Sequence, residues 1–192
     1  MSTDLHITVA QYEQMIAEGV FVPSEEHRVE LIRGEIREMS PIHPPHEDAL
    51  DRLAEWSFDS APRMQVRVRV QLSIELLGLQ SIPQPDLAWV RRGDYSRQRP
   101  TSDEVLLVVE VADTSVRFDR GEKAALYAEA GIADYWIVDV NRRTIEVCRE
   151  PSDGVYRRRE IVDLAGAVGP SAFPHLSLKL ADLFPAASEQ HR

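Results

Sequence analysis

The sequence predicts an α/β fold with a central mixed β-sheet flanked by helices. Residues 105–112 form an almost continuous apolar run, which is typical of a strand buried on both faces. A helical pattern over Asp119–Ala130 and a second buried-type strand over Tyr135–Val140 follow it. This order of strand, helix and strand is typical of layered α/β proteins. The 192 residues contain no repeat or low-complexity linker, so we expect a single domain over residues 1–192.

The first 40 residues predict a helix and a β-hairpin. Thr8 can cap a helix over Val9–Glu18, because its side chain can accept a hydrogen bond from the first helical turn. Arg33-Gly34 lies between two short β-like runs within Val29–Met39, which favours a hairpin. We interpret residues 8–40 as an addition to the main domain.

Residues 46–150 are expected to form the core of the domain. After a proline-rich loop, apolar spacing predicts a helix from His46 to about Phe58. Partial alternation predicts a half-buried strand over Arg67–Leu76, and a short strand follows over Pro85–Val90.

The end of the chain predicts one more strand and an extension. Asn141-Arg142-Arg143 is expected to turn the chain into a strand over Thr144–Arg149. Residues 151–185 are interpreted as a C-terminal extension that finishes in a helical turn at Leu180–Phe184.

Charge is negative overall but unevenly distributed. The chain has 22 basic and 32 acidic residues and a formal net charge of −10, which opposes broad attraction to nucleic acid. Residues 61–100 are the exception, with seven basic and three acidic groups, although such runs are usually solvated surface. Of the basic residues, 20 are Arg and only Lys123 and Lys179 are Lys.

Composition and missing motifs restrict the class of protein. The single cysteine, Cys148, excludes an internal disulfide and fits a cytoplasmic location. The longest strongly apolar run, Val105–Val109, is far shorter than the roughly 18 residues of a membrane helix, so we expect no membrane partner. No dinucleotide, Walker, nucleophile-elbow or H-E-x-x-H motif is present, which disfavours nucleotide-cofactor enzymes, serine hydrolases and zincins.

Two acidic residues occur in strands that otherwise predict burial. Glu110 lies inside the apolar run, on the same face as Leu106 and Val108, and Asp86 opens the strand over 85–90. Glu110 needs a partner there, either in a buried ion pair or at a functional site, because an unpaired buried carboxylate costs several kcal/mol. Asp86 alone could simply cap a turn. If the two strands pair, the carboxylates can converge on Mg²⁺, which needs few protein ligands.

Lys123 is a candidate third member of this site. It lies on the helix after the Glu110 strand and shares a helix face with Tyr127 at i+4. It could be an ordinary surface lysine. Its retention among so many arginines instead favours a role for a compact ammonium, which a guanidinium does not replace.

Three segments together resemble a known family of bacterial proteins. They are Glu30-Leu-Ile-Arg-Gly-Glu-Ile, Gln84-Pro-Asp-Leu-Ala-Trp-Val, and Leu107-Val-Val-Glu-Val with the stretch from Asp119 to Asp139. Nearly the whole chain resembles the Uma-type bacterial restriction endonuclease family, a branch of the PD-(D/E)XK nuclease superfamily. The resemblance implies a restriction-endonuclease-like core.

The resemblance also implies roles for individual residues. Asp86 and Glu110 would be catalytic metal ligands, with the backbone of Val111 as a further ligand. The superfamily lysine normally stands two residues after the second carboxylate, where this chain has Ala112, so the catalytic lysine would be Lys123. His46 matches a family histidine near the site and would be catalytic, although it could instead cap the second helix, and Glu30 matches a family acidic position of less defined role. Tyr127 is a further candidate only because it shares the helix face of Lys123, and its spacing fits a packing residue better.

The leading hypothesis is a Mg²⁺- or Mn²⁺-dependent endonuclease that hydrolyses DNA phosphodiester bonds and acts as a homodimer. The metal would lower the pKa of a bound water and stabilise charge on the phosphate. One alternative is a catalytically silent interaction protein that retains the nuclease fold. Another is a metal-dependent hydrolase of small phosphodiesters that uses the same residues.

Overall fold

The chain folds around a six-stranded mixed β-sheet with helices on both faces. The computed structural model describes residues 6–21, 28–39 and 41–185. The helices are α1 (Val9–Ala17), α2 (Pro44–Ser60), α3 (Val116–Phe118), α4 (Ala124–Glu129) and α5 (Leu180–Leu183). The strands are β1 (Val29–Ile32), β2 (Glu35–Glu38), β3 (Val66–Val70), β4 (Leu87–Arg91), β5 (Val105–Ala112), β6 (Asp134–Asp139), β7 (Thr144–Ser152), β8 (Val155–Val162), β9 (Ala167–Val168) and β10 (Leu178–Lys179).

The main sheet has the strand order β3-β4-β5-β6-β7-β8. Only β5 and β6 pair in parallel, and the chain between them runs through α3, a π-helical turn at Asp119–Lys123 and α4. The other four neighbouring pairs are antiparallel. The predicted α/β class with a mixed central sheet is therefore confirmed.

Two apolar layers cover the two faces of this sheet. On one face, Leu53 of α2 and Leu180 of α5 pack against Trp89, Leu107 and other strand residues. On the other face, residues of α4 such as Leu126 and Tyr127 pack against alternate strand residues such as Val108 and Ile137. The two periods of the sequence, 3.6 for helices and 2 for strands, produce this three-layer arrangement.

The N-terminal helix and hairpin form a small addition to these layers, with an apolar cluster of its own. Thr8 caps α1 in a capping box with Gln11, as the sequence predicts. Arg33 and Gly34 both have positive φ, which is the geometry of a tight two-residue hairpin turn between β1 and β2. Tyr12 and Leu31 pack with Ile82, so this addition is fixed to the loop before β4.

Several predicted boundaries differ from the structure. Strand β3 ends at Val70, because Gln71 has positive φ and the chain leaves the sheet there. Helix α2 begins at Pro44, since proline at the first helical positions needs no hydrogen-bond partner for a backbone N–H. Leu106 lies at a bulge in the β4–β5 ladder and packs against the α2 side, so it does not share the face of Val108 and Glu110.

The boundary drawn at residue 150 falls inside a hairpin. Strand β7 continues to Ser152, and β8, which the sequence pattern did not indicate, is the outer strand of the main sheet. Its side chains are mostly exposed and include three consecutive arginines, so the strand has no apolar face to signal it. In the described ranges, no helix is both long and apolar enough to cross a membrane.

Candidate active site

All but one of the predicted site residues line one cavity at the end of β5, and the exception, Tyr127, hydrogen-bonds to Glu110 from outside the lining. Asp86 immediately precedes β4, and the antiparallel pairing of Leu87 with Val109 brings it beside Glu110 and Val111. The cavity has a volume of about 120 Å³. The predicted residues that line it are Glu30, His46, Asp86, Glu110, Val111 and Lys123.

Asp86 is held from two sides. Its Oδ2 atom accepts a hydrogen bond from the backbone N–H of Val111 at 2.8 Å and contacts His46 Nε2 of α2 at 3.1 Å. Burial acts to raise the pKa of Asp86, but the hydrogen bond from His46 and that from Val111 bring it below its usual value. Because an ionised carboxylate can only accept, Nε2 carries the proton of the His46 contact.

Glu110 is held by two donors from the helical layer. Its Oε1 atom accepts hydrogen bonds from Lys123 Nζ at 2.9 Å and from the Tyr127 hydroxyl at 2.8 Å. All three side chains are almost fully buried. Burial raises the pKa of Glu110 to about 8, and the nearby carboxylates oppose the effect of the Lys123 charge. Tyr127 therefore serves both the packing of α4 and the orientation of Glu110.

Lys123 lies between two carboxylates from different layers. Besides Glu110, its Nζ pairs with Glu30 Oε2 at 3.4 Å, and Glu30 also accepts a hydrogen bond from the backbone N–H of Gln84. Burial alone would lower the pKa of Lys123, but Glu110, Glu30 and Asp119 raise it above its usual value. The lysine is therefore an ammonium ion at neutral pH.

Asp119 is a cavity residue that the sequence analysis did not select. It is buried, and its Oδ2 atom accepts a hydrogen bond from the Ser115 hydroxyl at 2.6 Å. Burial raises its pKa to about 6. Its place four residues before Lys123 was the available signal, but an acidic residue at a helix start is usually explained by the helix dipole.

The cavity lining carries an excess of negative charge. It contains two basic residues, Arg28 and Lys123. It contains six acidic residues, which are Glu30, Glu38, Asp86, Asp113, Glu110 and Asp119. Since like charges close together are unfavourable without a cation, this lining favours binding of a positive ion.

The arrangement of carboxylates fits a divalent cation with a partly open shell. The hydrogen bonds that Asp86 and Glu110 make with described residues use Oδ2 and Oε1, which leaves Oδ1 and Oε2 for a cation. In the described part of the chain, no three His, Cys, Asp or Glu side chains are grouped as a ready-made metal cage. A cation would therefore need water or phosphate oxygens as well, which is how Mg²⁺ is commonly bound.

The mixed sheet and the flanking helices define a layered α/β fold, and its cavity unites acidic side chains with a buried lysine. The chain belongs to the Uma2 family, described as "Putative restriction endonuclease", whose model matches residues 9–181. Among solved structures it is similar to a putative nuclease from Anabaena variabilis ATCC 29413, with a TM-score of 0.70 and 17% identity. That match covers 93% of this chain and 97% of the other, and it shows a shared fold. A search of curated proteins finds no match.

Proposed function

We propose that this protein is a Mg²⁺- or Mn²⁺-dependent endonuclease that hydrolyses DNA phosphodiester bonds. The observation that supports it most is the convergence of Asp86, Glu110 and Lys123 in one acidic cavity, although they come from the residue before β4, from β5 and from the π-helical turn. Membership of the Uma2 family supports the same reaction class.

Asp86, Glu110 and the backbone carbonyl of Val111 would hold the metal. When bound, such an ion lowers the pKa of a bound water and stabilises charge on a phosphate. His46 fixes the orientation of Asp86, and Tyr127 fixes that of Glu110, through the hydrogen bonds described above. These contacts restrict the orientation of both carboxylates, as hydrogen bonds to metal-ligating side chains commonly do.

Lys123 acts as a hydrogen-bond donor in this proposal. Because the surrounding carboxylates raise its pKa, it keeps its proton and is suited to orient the attacking water or to stabilise charge on the phosphate. Glu30 holds the ammonium from the hairpin side. The attacking water forms the new P–O bond as the bond to the leaving oxygen breaks; one proton of the water passes to solvent, and the leaving oxygen takes a proton from solvent to become a hydroxyl.

The first prediction concerns plasmid cleavage. In Mg²⁺ or Mn²⁺ we expect the wild-type chain to nick supercoiled plasmid, and we expect Asp86→Asn, Glu110→Gln and Lys123→Ala each to lose at least about 100-fold in rate, as removal of a group that stabilises a transition state usually does. The measurement is the initial rate of conversion to nicked circles on a gel.

Matched controls are available for all three changes. Lys179 is the other lysine and is exposed, and Glu150 and Asp51 are exposed acidic residues, so Lys179→Ala, Glu150→Gln and Asp51→Asn should cleave at the wild-type rate. Cleavage that survives all three site changes would refute the proposal. Activity on a chromogenic phosphodiester without DNA cleavage would instead favour the small-substrate hydrolase, and metal binding without any hydrolysis would favour the silent protein.

The homodimer and the cytoplasmic location remain predictions. Two copies would present two cavities to the two strands of a duplex, and sedimentation velocity would show whether the chain is a dimer in solution. Fractionation of the producing cells would test the location.

A further inference from the structure

Arg28 is the basic side chain of the cavity to which the proposed reaction gives no role. It stands immediately before β1, and its carbonyl accepts a hydrogen bond from the Met39 N–H, so its backbone continues the hairpin. Its Nη2 atom is buried and has no hydrogen-bond partner among the described residues. Buried polar groups are nearly always paired, so an unpaired guanidinium nitrogen in a cavity wall indicates a missing partner.

The other obvious cationic groups of the cavity are already occupied. Lys123 pairs with Glu110 and Glu30. The N-terminus of α2 begins with Pro44-Pro45, which lack backbone N–H groups, so this helix end is poorly suited to hold an anion. Of the two arginine and lysine side chains that line the cavity, Arg28 is therefore the one with an unpaired donor for an anionic group of the substrate.

We propose that Arg28 binds a backbone phosphate next to the one that is cleaved. This inference rests on the proposed nuclease function. A guanidinium can donate two parallel hydrogen bonds to a phosphate, which a lysine cannot do. Arg28, just before β1, and Glu30, within β1, are two positions apart in a stretch that continues the hairpin pairing, so they share a face, with their Cα atoms about 6.6 Å apart at a rise of about 3.3 Å per residue. Glu30 contacts Lys123, which the proposed function places at the reacting phosphate. Arg28 lies further along the same face, so it would meet the neighbouring phosphate and not the reacting one.

The test measures DNA binding as a function of salt. The full chain is titrated into a short end-labelled duplex in Ca²⁺, which occupies oxygen sites as Mg²⁺ does, and anisotropy gives Kd from low to moderate salt. For Arg28→Gln we expect binding about tenfold weaker at low salt. We also expect the slope of log Kd against log salt to fall by about 0.9, the value for one lost phosphate contact. For Arg28→Lys the slope should stay near wild type while binding weakens, because the charge remains and the paired hydrogen bonds are lost.

Cleavage kinetics provide the second readout. In Mg²⁺, Arg28→Gln should raise KM about tenfold and change kcat by less than about twofold, since the contact is to a phosphate that does not react. Arg157→Gln is the matched control, because Arg157 is an exposed arginine of β8 that pairs with exposed Asp153. Circular dichroism and thermal unfolding establish that each variant is folded.

The outcomes separate this inference from the proposed function. Wild-type cleavage with an unchanged salt slope and KM in Arg28→Gln would overturn the role of Arg28 and leave the nuclease proposal standing. A loss confined to kcat would also overturn it, because Arg28 would then contact the reacting phosphate. Absence of DNA binding by the wild-type chain would overturn both proposals.

Discussion

At the scale of single residues, the cavity changes the protonation of its carboxyl groups in opposite directions. Burial raises the pKa of Glu110 to about 8 and that of Asp119 to about 6, whereas the hydrogen bonds to Asp86 bring its pKa below the usual value. Without a bound metal, the folded protein therefore disfavours ionisation of Glu110 and Asp119. A cation removes this resistance, because it favours the ionised form of each ligand.

This difference predicts how stability depends on pH without metal. A carboxyl group with a raised pKa binds more protons in the folded state, so its contribution to the free energy of unfolding falls as pH rises from about 4.5 to about 8 for Glu110. The change Glu110→Gln removes this titration. In EDTA we expect the difference in unfolding free energy between Glu110→Gln and wild type to shift in favour of the variant as pH increases over that window.

Urea unfolding at pH 5, 6, 7 and 8 measures the effect. Glu150→Gln is the matched control, because Glu150 is exposed, and its difference from wild type should be independent of pH. If the wild type instead gains stability relative to Glu110→Gln as pH rises, the folded state prefers the ionised carboxylate of Glu110.

The site residues that could be predicted from sequence are those that depart from the local sequence pattern around them. Glu110 inside an apolar strand and Lys123 in an arginine-rich chain stand out, and both lie in the cavity. Asp119 and Arg28 obey local rules, the first as an acidic residue at a helix start and the second as a polar residue before a hairpin. The burial of Asp119 and of the Arg28 Nη2 atom depends on packing between distant segments, which no local pattern contains.

At the scale of elements, the β1–β2 turn controls the position of the hairpin over the site. Gly34 has a φ of +78°, and a Cβ atom there would lie 2.9 Å from His6 Nδ1 and 3.2 Å from the Ile7 carbonyl oxygen. The β7–β8 turn has the same form, with positive φ at Asp153 and Gly154, but a Cβ atom at Gly154 would meet no atom within 4 Å. The two turns therefore differ in crowding and not in backbone conformation.

We predict that Gly34→Ala is more destabilising than Gly154→Ala. A left-handed conformation costs an L-residue about 1–2 kcal/mol, and this cost applies to both variants. Gly34→Ala adds the clash with the segment before α1, so its loss in unfolding free energy should exceed that of Gly154→Ala by about 1 kcal/mol or more. Urea unfolding of the two variants tests this, and equal losses would contradict the crowding seen at Gly34.

Helices and strands with a clear apolar pattern were predicted well, whereas features without such a pattern were not. The run over 105–112 is observed as β5 with the expected bounds. The helix over 119–130 was predicted in type, but it begins at Val116 and contains a π-helical turn at Asp119–Lys123. That turn holds the buried Asp119 and Lys123, and the extra residue it accommodates leaves no mark in a pattern of apolar spacing.

At the scale of the whole molecule, the site draws side chains from every layer of the fold. His46 comes from α2, Asp86 and Glu110 from the sheet, Lys123 from the opposite helical layer and Glu30 from the added hairpin. The contacts His46–Asp86, Lys123–Glu110 and Lys123–Glu30 therefore each join two layers. Binding at the cavity should consequently stabilise the entire fold and not one segment.

The last prediction follows from this coupling and does not require catalysis. A ligand that binds only the folded state at 100 times its Kd stabilises that state by about 2.7 kcal/mol. We therefore expect saturating Mg²⁺ or Mn²⁺ to raise the Tm of the wild-type chain as a single cooperative shift. The shift should be larger at pH 8 than at pH 6, because the raised pKa of Glu110 makes protons compete with the metal at the lower pH.

The double variant Asp86→Asn/Glu110→Gln should lose the shift in Tm, and the exposed pair Asp51→Asn/Glu150→Gln should retain it. Calorimetry with the metals and with equal ionic strength of NaCl measures the difference, and an equal rise in Tm in both double variants would mean that the cation binds elsewhere.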